Sequence, residues 1–284
     1  MSSDSWTILS PIEQKIKRKI ESVGVPLKDW DISINYGIKT GFNDAFIISK
    51  EKRNEILANC KTDKERQETA KIIRPILRGR DIKRYECKFA DLYLINTHNG
   101  VKENGKVKIP RIDIKDYPAV KKHLDKYWYK ISIRADKGDT PYNLRNCAYM
   151  DEFDKPKICW ARLMRLSKSD LNAFPRFCFI PKDFYVVDSL CFFTGTDIGL
   201  LIKELNSEFA AYYFFNSVAT LDNGGFQMRQ QYVEEIPLPK LSKLNANTDI
   251  DKEIYKAFNF TDEEIKFIKT SISNKKKEIE SLIK

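Results

Sequence analysis

The apolar positions of this 284-residue chain change period repeatedly, and each change marks an element. Ile12, Ile16, Ile20 and Val23 recur at helical steps, so they predict one apolar face of an amphipathic helix. Ser10 and Glu13 form a capping box ahead of that stripe, Pro11 suits the first helical position, and Gly24 ends the helix. The period then falls to two at Ile32 and Ile34, a strand that leads through Gly37-Ile-Lys-Thr-Gly41 to the apolar segment Ala45–Ile48. Helices are predicted over residues 50–59 and 63–73, the second opened by Thr62 and Glu65, with Pro75 ending or kinking it. Leu92–Ile95 reads as a strand, residues 100–105 as a polar turn and residues 117–131 as a helix. Strand-like runs recur at 157–160, 176–180 and 184–193, and one helix capped by Asp197 is predicted over 198–218.

The turn Asp222-Asn-Gly-Gly225 and a Gln-rich stretch lead to Ile236-Pro-Leu-Pro239, which closes the globular part. Residues 242–252 read as a linker. A last helix starts at the Thr261/Glu264 capping box, and Ile265, Ile268, Ile272, Ile279 and Leu282 give it a heptad-like seam broken at Lys275. These elements predict an α+β fold: a mixed, mainly antiparallel sheet of short strands flanked by helices, with a helical C-terminal extension. Residues 1–240 form the expected domain, and 241–284 the linker and C-terminal helix.

Composition narrows the classes. With 42% hydrophobic and 12% aromatic residues the chain can build a packed core, so it is not principally disordered. The longest apolar run, Phe209–Phe215, is far short of the roughly 18 residues a membrane helix needs. No signal peptide is read at the N-terminus, and the six cysteines never approach a C-x-x-C spacing. Reduced thiols in a cytoplasmic protein without a zinc site are expected. The net charge of +10 is local: residues 45–150 hold 25 Lys/Arg against 14 Asp/Glu, whereas 191–240 hold 3 against 6. Such a field suits a polyanion on one side, although a merely solvated basic face has the same arithmetic.

Several chemistries have no motif here. There is no phosphate-binding P-loop, no dinucleotide fingerprint, no nucleophile elbow and no H-E-x-x-H. Asp81-Ile-Lys83 and Asp113-Ile-Lys115 hold the Asp-x-Lys half of a metal-dependent nuclease pattern, which arises readily in a chain that is 32% charged.

Longer segments carry a resemblance. Gly37-Ile-Lys-Thr-Gly-Phe-Asn-Asp-Ala-Phe46 and Ile73-Arg-Pro-Ile-Leu-Arg-Gly-Arg-Asp-Ile-Lys-Arg-Tyr85 are the first two pieces. Pro141-Tyr-Asn-Leu-Arg145, Phe153-Asp-Lys-Pro-Lys-Ile-Cys-Trp160, Leu205-Asn-Ser-Glu208 and Ile236-Pro-Leu-Pro239 complete the set, which runs from about Trp6 to Pro239. In order and spacing they resemble the TaqI-like specificity domain, the target-recognition half of type IIG restriction–modification enzymes and N6-adenine DNA methyltransferases. The resemblance implies a module that reads double-stranded DNA, either an excised C-terminal fragment or a separate specificity subunit. The Asn-Pro-Pro-Tyr-type methyltransferase motif and a nuclease domain are missing. S-adenosylmethionine and Mg²⁺ would therefore belong to catalytic domains outside this chain, which would itself hold no cofactor and catalyse nothing.

On that reading, phosphate neutralisation supplies affinity and a few paired donors supply sequence preference. Arg78, Arg80, Lys83 and Arg84 form a basic turn suited to a phosphate path, or else Arg80 and Asp81 pin the turn internally. Gly79 is expected to permit an unusual backbone angle there. Lys39, Thr40 and Asn43 are donors of a loop that resembles a phosphate-contacting loop and equally suits a tight strand connection. Arg162 and Arg165, with Gln227, Arg229, Gln230 and Gln231, are the candidate base readers, although polar residues after a glycine turn are commonly plain solvated loop. Two other classes stay open: a nuclease built on Asp81/Lys83 or Asp113/Lys115, and an adaptor working through the Thr261–Lys284 helix.

Overall fold

A computed structural model describes residues 9–222, 224–241 and 248–283. Trp6, most of the expected linker and Asn223 of the glycine turn lie outside the described residues. The chain divides into two compact units, one of residues 1–34, 162–177 and 195–284, the other of residues 35–161 and 178–194.

The first unit is chiefly helical. Its opening helix, Pro11–Val23, carries the expected capping box: the Ser10 backbone N–H donates to Glu13 Oε2 at 2.7 Å and the Glu13 N–H to Ser10 Oγ at 3.4 Å. Ile16 and Ile20 are buried and Val23 is exposed. Asp262–Leu282 has the same box at Thr261 and Glu264, then runs unbroken past Lys275, which pairs with Glu278 at 2.8 Å. It packs against Glu208–Ser217 and Pro11–Val23, with Ile268, Ile272 and Ile279 buried. Lys19 ties the two ends of the chain together, donating to Glu264 at 2.6 Å and to the Asn259 carbonyl at 2.7 Å. The middle of the apolar seam is thus consumed inside its own unit, with Ile265 half-buried and Leu282 left exposed for an adaptor role.

The expected helix over 198–218 is two helices, Ile198–Leu205 and Glu208–Ser217. Asn206 breaks it, because its amide grips the Phe177 backbone at both ends: the Phe177 N–H donates to Oδ1 at 3.0 Å and Nδ2 donates to the Phe177 carbonyl at 2.9 Å. Ser207 then caps the second helix by accepting from the Ala210 N–H at 3.1 Å. Asp197 makes no side-chain cap bond and sits at φ 53°, so that expectation is corrected.

The second unit is built on sheet. One four-stranded sheet runs in the order Tyr185–Val186, Ile73–Leu77, Leu92–Ile95, Ile47–Ser49, parallel at the first pair and antiparallel at the others. Another orders Ile32–Tyr36, Leu190–Gly195, Lys157–Ala161 and Phe177–Ile180, and lies mostly in this unit. Its aromatic core stacks Phe153 on Tyr185 at 4.6 Å between ring centres and brings Phe192 to 4.8 Å from Phe153. The α+β class, the short strands and the predominance of antiparallel pairing are as expected. The strand expected over 184–193 is two, Tyr185–Val186 and Leu190–Gly195, and the helix expected over 117–131 is Pro118–Asp125 followed by Trp128–Ile131. Pro75 lies in a strand opposite Tyr93, the helix before it having closed at Ile72.

One buried group works against stability. Glu204 is completely buried, and neither carboxyl oxygen has a hydrogen-bond partner among the described residues. Burial penalises its charged form and pushes its pKa from 4.5 up to about 8. The folded chain therefore keeps a proton that the unfolded chain releases, and the associated stability, complete below pH 4.5, is lost as pH rises towards 8. Glu204→Gln should melt roughly 2–6 °C above the wild type at about pH 9 and alongside it at about pH 5, as read by thermal denaturation.

Candidate nucleic-acid interface

The basic turn begins where Ile73–Leu77 ends. Asp81 is only 4% exposed, and Arg78 closes on it with three donors: its backbone N–H at 2.8 Å to Oδ2, Nε at 3.1 Å to Oδ2 and Nη2 at 3.0 Å to Oδ1. The Asp81 N–H returns to the Arg78 carbonyl at 2.9 Å. The pin of this turn is thus Arg78 with Asp81, not Arg80 with Asp81, and a bidentate guanidinium–carboxylate pair is the geometry that holds a turn most firmly. Gly79 has no left-handed φ, and a Cβ there would meet only ordinary contacts, so its expected backbone role is corrected. The left-handed residue is Tyr85, φ 70°, exposed at the tip of a loop tied by Lys83 N–H to the Glu86 carbonyl at 2.9 Å and Lys88 N–H to the Asp81 carbonyl at 2.7 Å. From this scaffold the side chains of Arg80, Lys83 and Lys88 project with no ion-pair or hydrogen-bond partner among the described residues. Arg84 lies with its guanidinium carbon 5.4 Å from the Tyr85 ring centre. Arg74, in the strand before the turn, is engaged by Asp154 and Asp183, each at 2.9 Å.

The loop at residues 37–43 is organised from beneath by Arg134, a residue to which sequence reasoning gave no role. Arg134 is buried, lies 4.3 Å from the Phe46 ring centre and donates to the Thr40 carbonyl at 2.6 Å. Burial lowers its pKa to about 10, so it stays charged at neutral pH. Thr40 is 2% exposed, and its hydroxyl donates to Asn43 Oδ1 at 2.6 Å. Lys39 pairs with Asp136 at 2.9 Å, and that hydrogen bond chiefly holds the Asp136 carboxyl below its ordinary pKa. Gly37 is required by close approach, since a Cβ would fall 2.0 Å from the Val187 carbonyl oxygen. Of the three donors, only Asn43 is exposed with its amide nitrogen pointing to no described partner.

The candidate base readers all fall in the other unit, and the fold brings their two segments together. Met164 and Phe226 form an antiparallel bridge, with the Met164 N–H to the Phe226 carbonyl at 3.0 Å and the Phe226 N–H to the Met164 carbonyl at 2.9 Å. Both side chains are fully buried. Extended backbone alternates its side chains, so burying 164 and 226 turns their neighbours Arg165 and Gln227 the other way. Arg165 and Arg229 are exposed, with no side-chain partner among the described residues, and Arg162 and Gln231 are exposed beside them. Gln230 is partly committed, donating to Glu234 at 3.1 Å. Arg176 braces the first segment by donating to the Arg165 carbonyl at 2.6 Å.

The nuclease half-motifs are otherwise employed. Both Asp81 oxygens accept from Arg78, and Asp113 caps a short 3₁₀ turn by accepting from the Lys115 N–H at 3.0 Å. Among the described residues no cluster of three or more His, Cys, Asp or Glu is placed to hold a metal ion. Among them, too, no helix is long and apolar enough to cross a membrane.

Residues 74–238, which hold both the basic turn and the bridged segments, match the profile of the TaqI-like C-terminal specificity domain. The chain belongs to this family. A likeness of fold extends over more of the chain: 95% of it superimposes on the type IIG restriction endonuclease BpuSI with a TM-score of 0.52 at 14% identity. A second solved structure, the type IIL restriction–modification enzyme MmeI in complex with DNA, matches over 91% with a TM-score of 0.53 at 12% identity. The chain spans only 32% and 33% of those two proteins. No curated protein matches the sequence.

The turn geometry separates structural from displayed cations. Asp81→Ala strands three donors and should cost about 2–4 kcal/mol in urea denaturation. Arg80→Ala should stay within about 0.5 kcal/mol of the wild type in the same measurement.

Proposed function

We propose that this specificity domain reads double-stranded DNA for a restriction–modification adenine methyltransferase or endonuclease whose catalytic domains lie outside the chain. Residues 1–240 would form the recognition domain, with 241–284 as its helical extension. S-adenosylmethionine and Mg²⁺ would then be held by the catalytic domains, and this chain would contribute target choice alone. The observation that carries the reading is the Met164–Phe226 bridge, which holds side by side the segments that carry exposed Arg165 and Arg229 and half-buried Gln227. Arg presents paired donors to guanine and Gln pairs with adenine, so this is a chemically suitable reading edge.

The two tasks fall on separate units of the chain. Arg80, Lys83 and Arg84 would neutralise phosphates from the sheet-based unit, while the helical unit would supply base contacts. Lys39 and Thr40 are better cast as loop supports, since their polar atoms are spent on Asp136 and Asn43; Asn43 keeps its amide nitrogen for a phosphate. Arg78 likewise serves the turn rather than the DNA.

Binding measured by anisotropy across a salt series tests the division. Arg80→Ala and Lys83→Ala should each weaken every duplex alike and flatten the slope of log K against log salt by about 0.9. Arg165→Ala and Arg229→Ala should instead cost about 1–3 kcal/mol on the preferred duplex and leave random duplexes unchanged. An unchanged slope in the first pair, or equal losses on all duplexes in the second, would remove those residues from their assigned roles.

A further inference from the structure

Residues 118–137 carry six cations, Lys121, Lys122, Lys126, Lys130, Arg134 and Lys137, against two acids, Asp125 and Asp136. Both acids are engaged. Asp125 accepts from Lys121 at 2.7 Å and from the Tyr142 hydroxyl at 2.6 Å, and Asp136 pairs with Lys39 at 2.9 Å and Arg145 at 3.3 Å. Lys122, Lys126 and Lys130, spread over the two short helices and the turn between them, are exposed, and their side chains have no ion pair or hydrogen bond among the described residues. Between and beside them stand three large apolar side chains in the open: Trp128 at 46% exposure, Tyr129 at 66% and Ile133 at 79%. The core does not demand this, since the same short helix buries Ile131 completely. Large apolar side chains exposed among cations mark an interaction surface.

The rings are also positioned. Trp128 rests on Tyr142, centres 5.3 Å apart and tilted by 37°, and the Lys121 ammonium caps Tyr142 at 5.4 Å. Lys130 lies 5.6 Å from the centre of Tyr129. Flat rings held by cations, with further unpaired lysines alongside, meet the two needs of an unpaired nucleotide: a stacking face for the base and a positive charge for the phosphate. Duplex DNA would use the lysines but leave the rings idle, because its base faces are stacked away. An apolar protein patch would use the rings but bury lysines, which protein interfaces deplete at their cores. We infer that the Trp128/Tyr129/Lys126/Lys130 face is a binding platform for single-stranded nucleic acid, a site separate from the proposed base-reading segments.

Fluorescein-labelled oligothymidine titrated with the full chain is the test, read by anisotropy and by quenching of tryptophan emission. Binding should be accompanied by quenching, and Trp128→Ala/Tyr129→Ala should weaken it at least tenfold. Lys126→Gln/Lys130→Gln should flatten its salt slope by about 0.7 per lysine. Because Trp128 also packs on Tyr142, Tyr129→Ala alone, with an unchanged melting temperature, provides the second variant and should retain a several-fold loss. No binding of oligothymidine, or equal binding by the aromatic variants, overturns the inference. Self-association that disappears in the aromatic variants, with oligothymidine affinity unchanged, overturns it too and assigns the face to a second copy of the chain. Duplex affinity measured on the two aromatic variants should not move, so failure here is distinguishable from failure of the target-recognition reading.

Discussion

A buried carboxylate decides what the basic turn can do. Seven cations crowd residues 71–88, and mutual repulsion alone would scatter them. Asp81, almost fully enclosed, takes one guanidinium with two parallel hydrogen bonds and adds the backbone N–H of the same residue. That single pairing fixes the turn, and the remaining cations are displayed by it rather than consumed in it. A buried ion pair is weak evidence for stability, because desolvation offsets its Coulombic gain. Its value here is positional: Arg80, Lys83 and Lys88 leave a rigid turn with their charges uncommitted.

The same logic of commitment runs through the loop at 37–43. Lys39 and Thr40 look like donors on paper, yet one is paired with Asp136 and the other is turned inward to Asn43. Arg134, placed under the loop by its stack on Phe46, holds the Thr40 carbonyl. The loop's shape is therefore maintained by a buried guanidinium and a lysine already committed to a carboxylate, and a count of cations overstates how many are available to a phosphate.

Local signals were the legible part of the sequence. The capping boxes at Ser10/Glu13 and Thr261/Glu264, the stripe through Ile16 and Ile20, and the strand at Leu92–Ile95 need only neighbours three or four residues away, and they form as their spacing predicts. The misses share a cause in long-range partners. The apolar run over 198–218 has unbroken helical character, and only the Phe177 backbone, 29 residues from Asn206 in sequence, explains the break. The role of Arg78 was hidden by a neighbouring Arg80 of identical chemistry, with backbone geometry choosing between them. For the candidate interface, residue types suggested Arg165 and Arg229, but nothing in the spacing could show that a bridge between Met164 and Phe226 sets their segments side by side. The exposure of the Trp128 and Tyr129 rings has no signal in the sequence, since burial is not written in a local pattern.

The family match and the bridged segments together make target choice the central claim. Selection from a randomised duplex pool with the wild-type chain, at about 150 mM salt where non-specific electrostatic binding is partly suppressed, addresses it most directly. The account predicts enrichment of one short motif over successive rounds. A pool that stays flat while the protein still binds DNA would contradict it, leaving a basic protein that grips backbone and reads nothing.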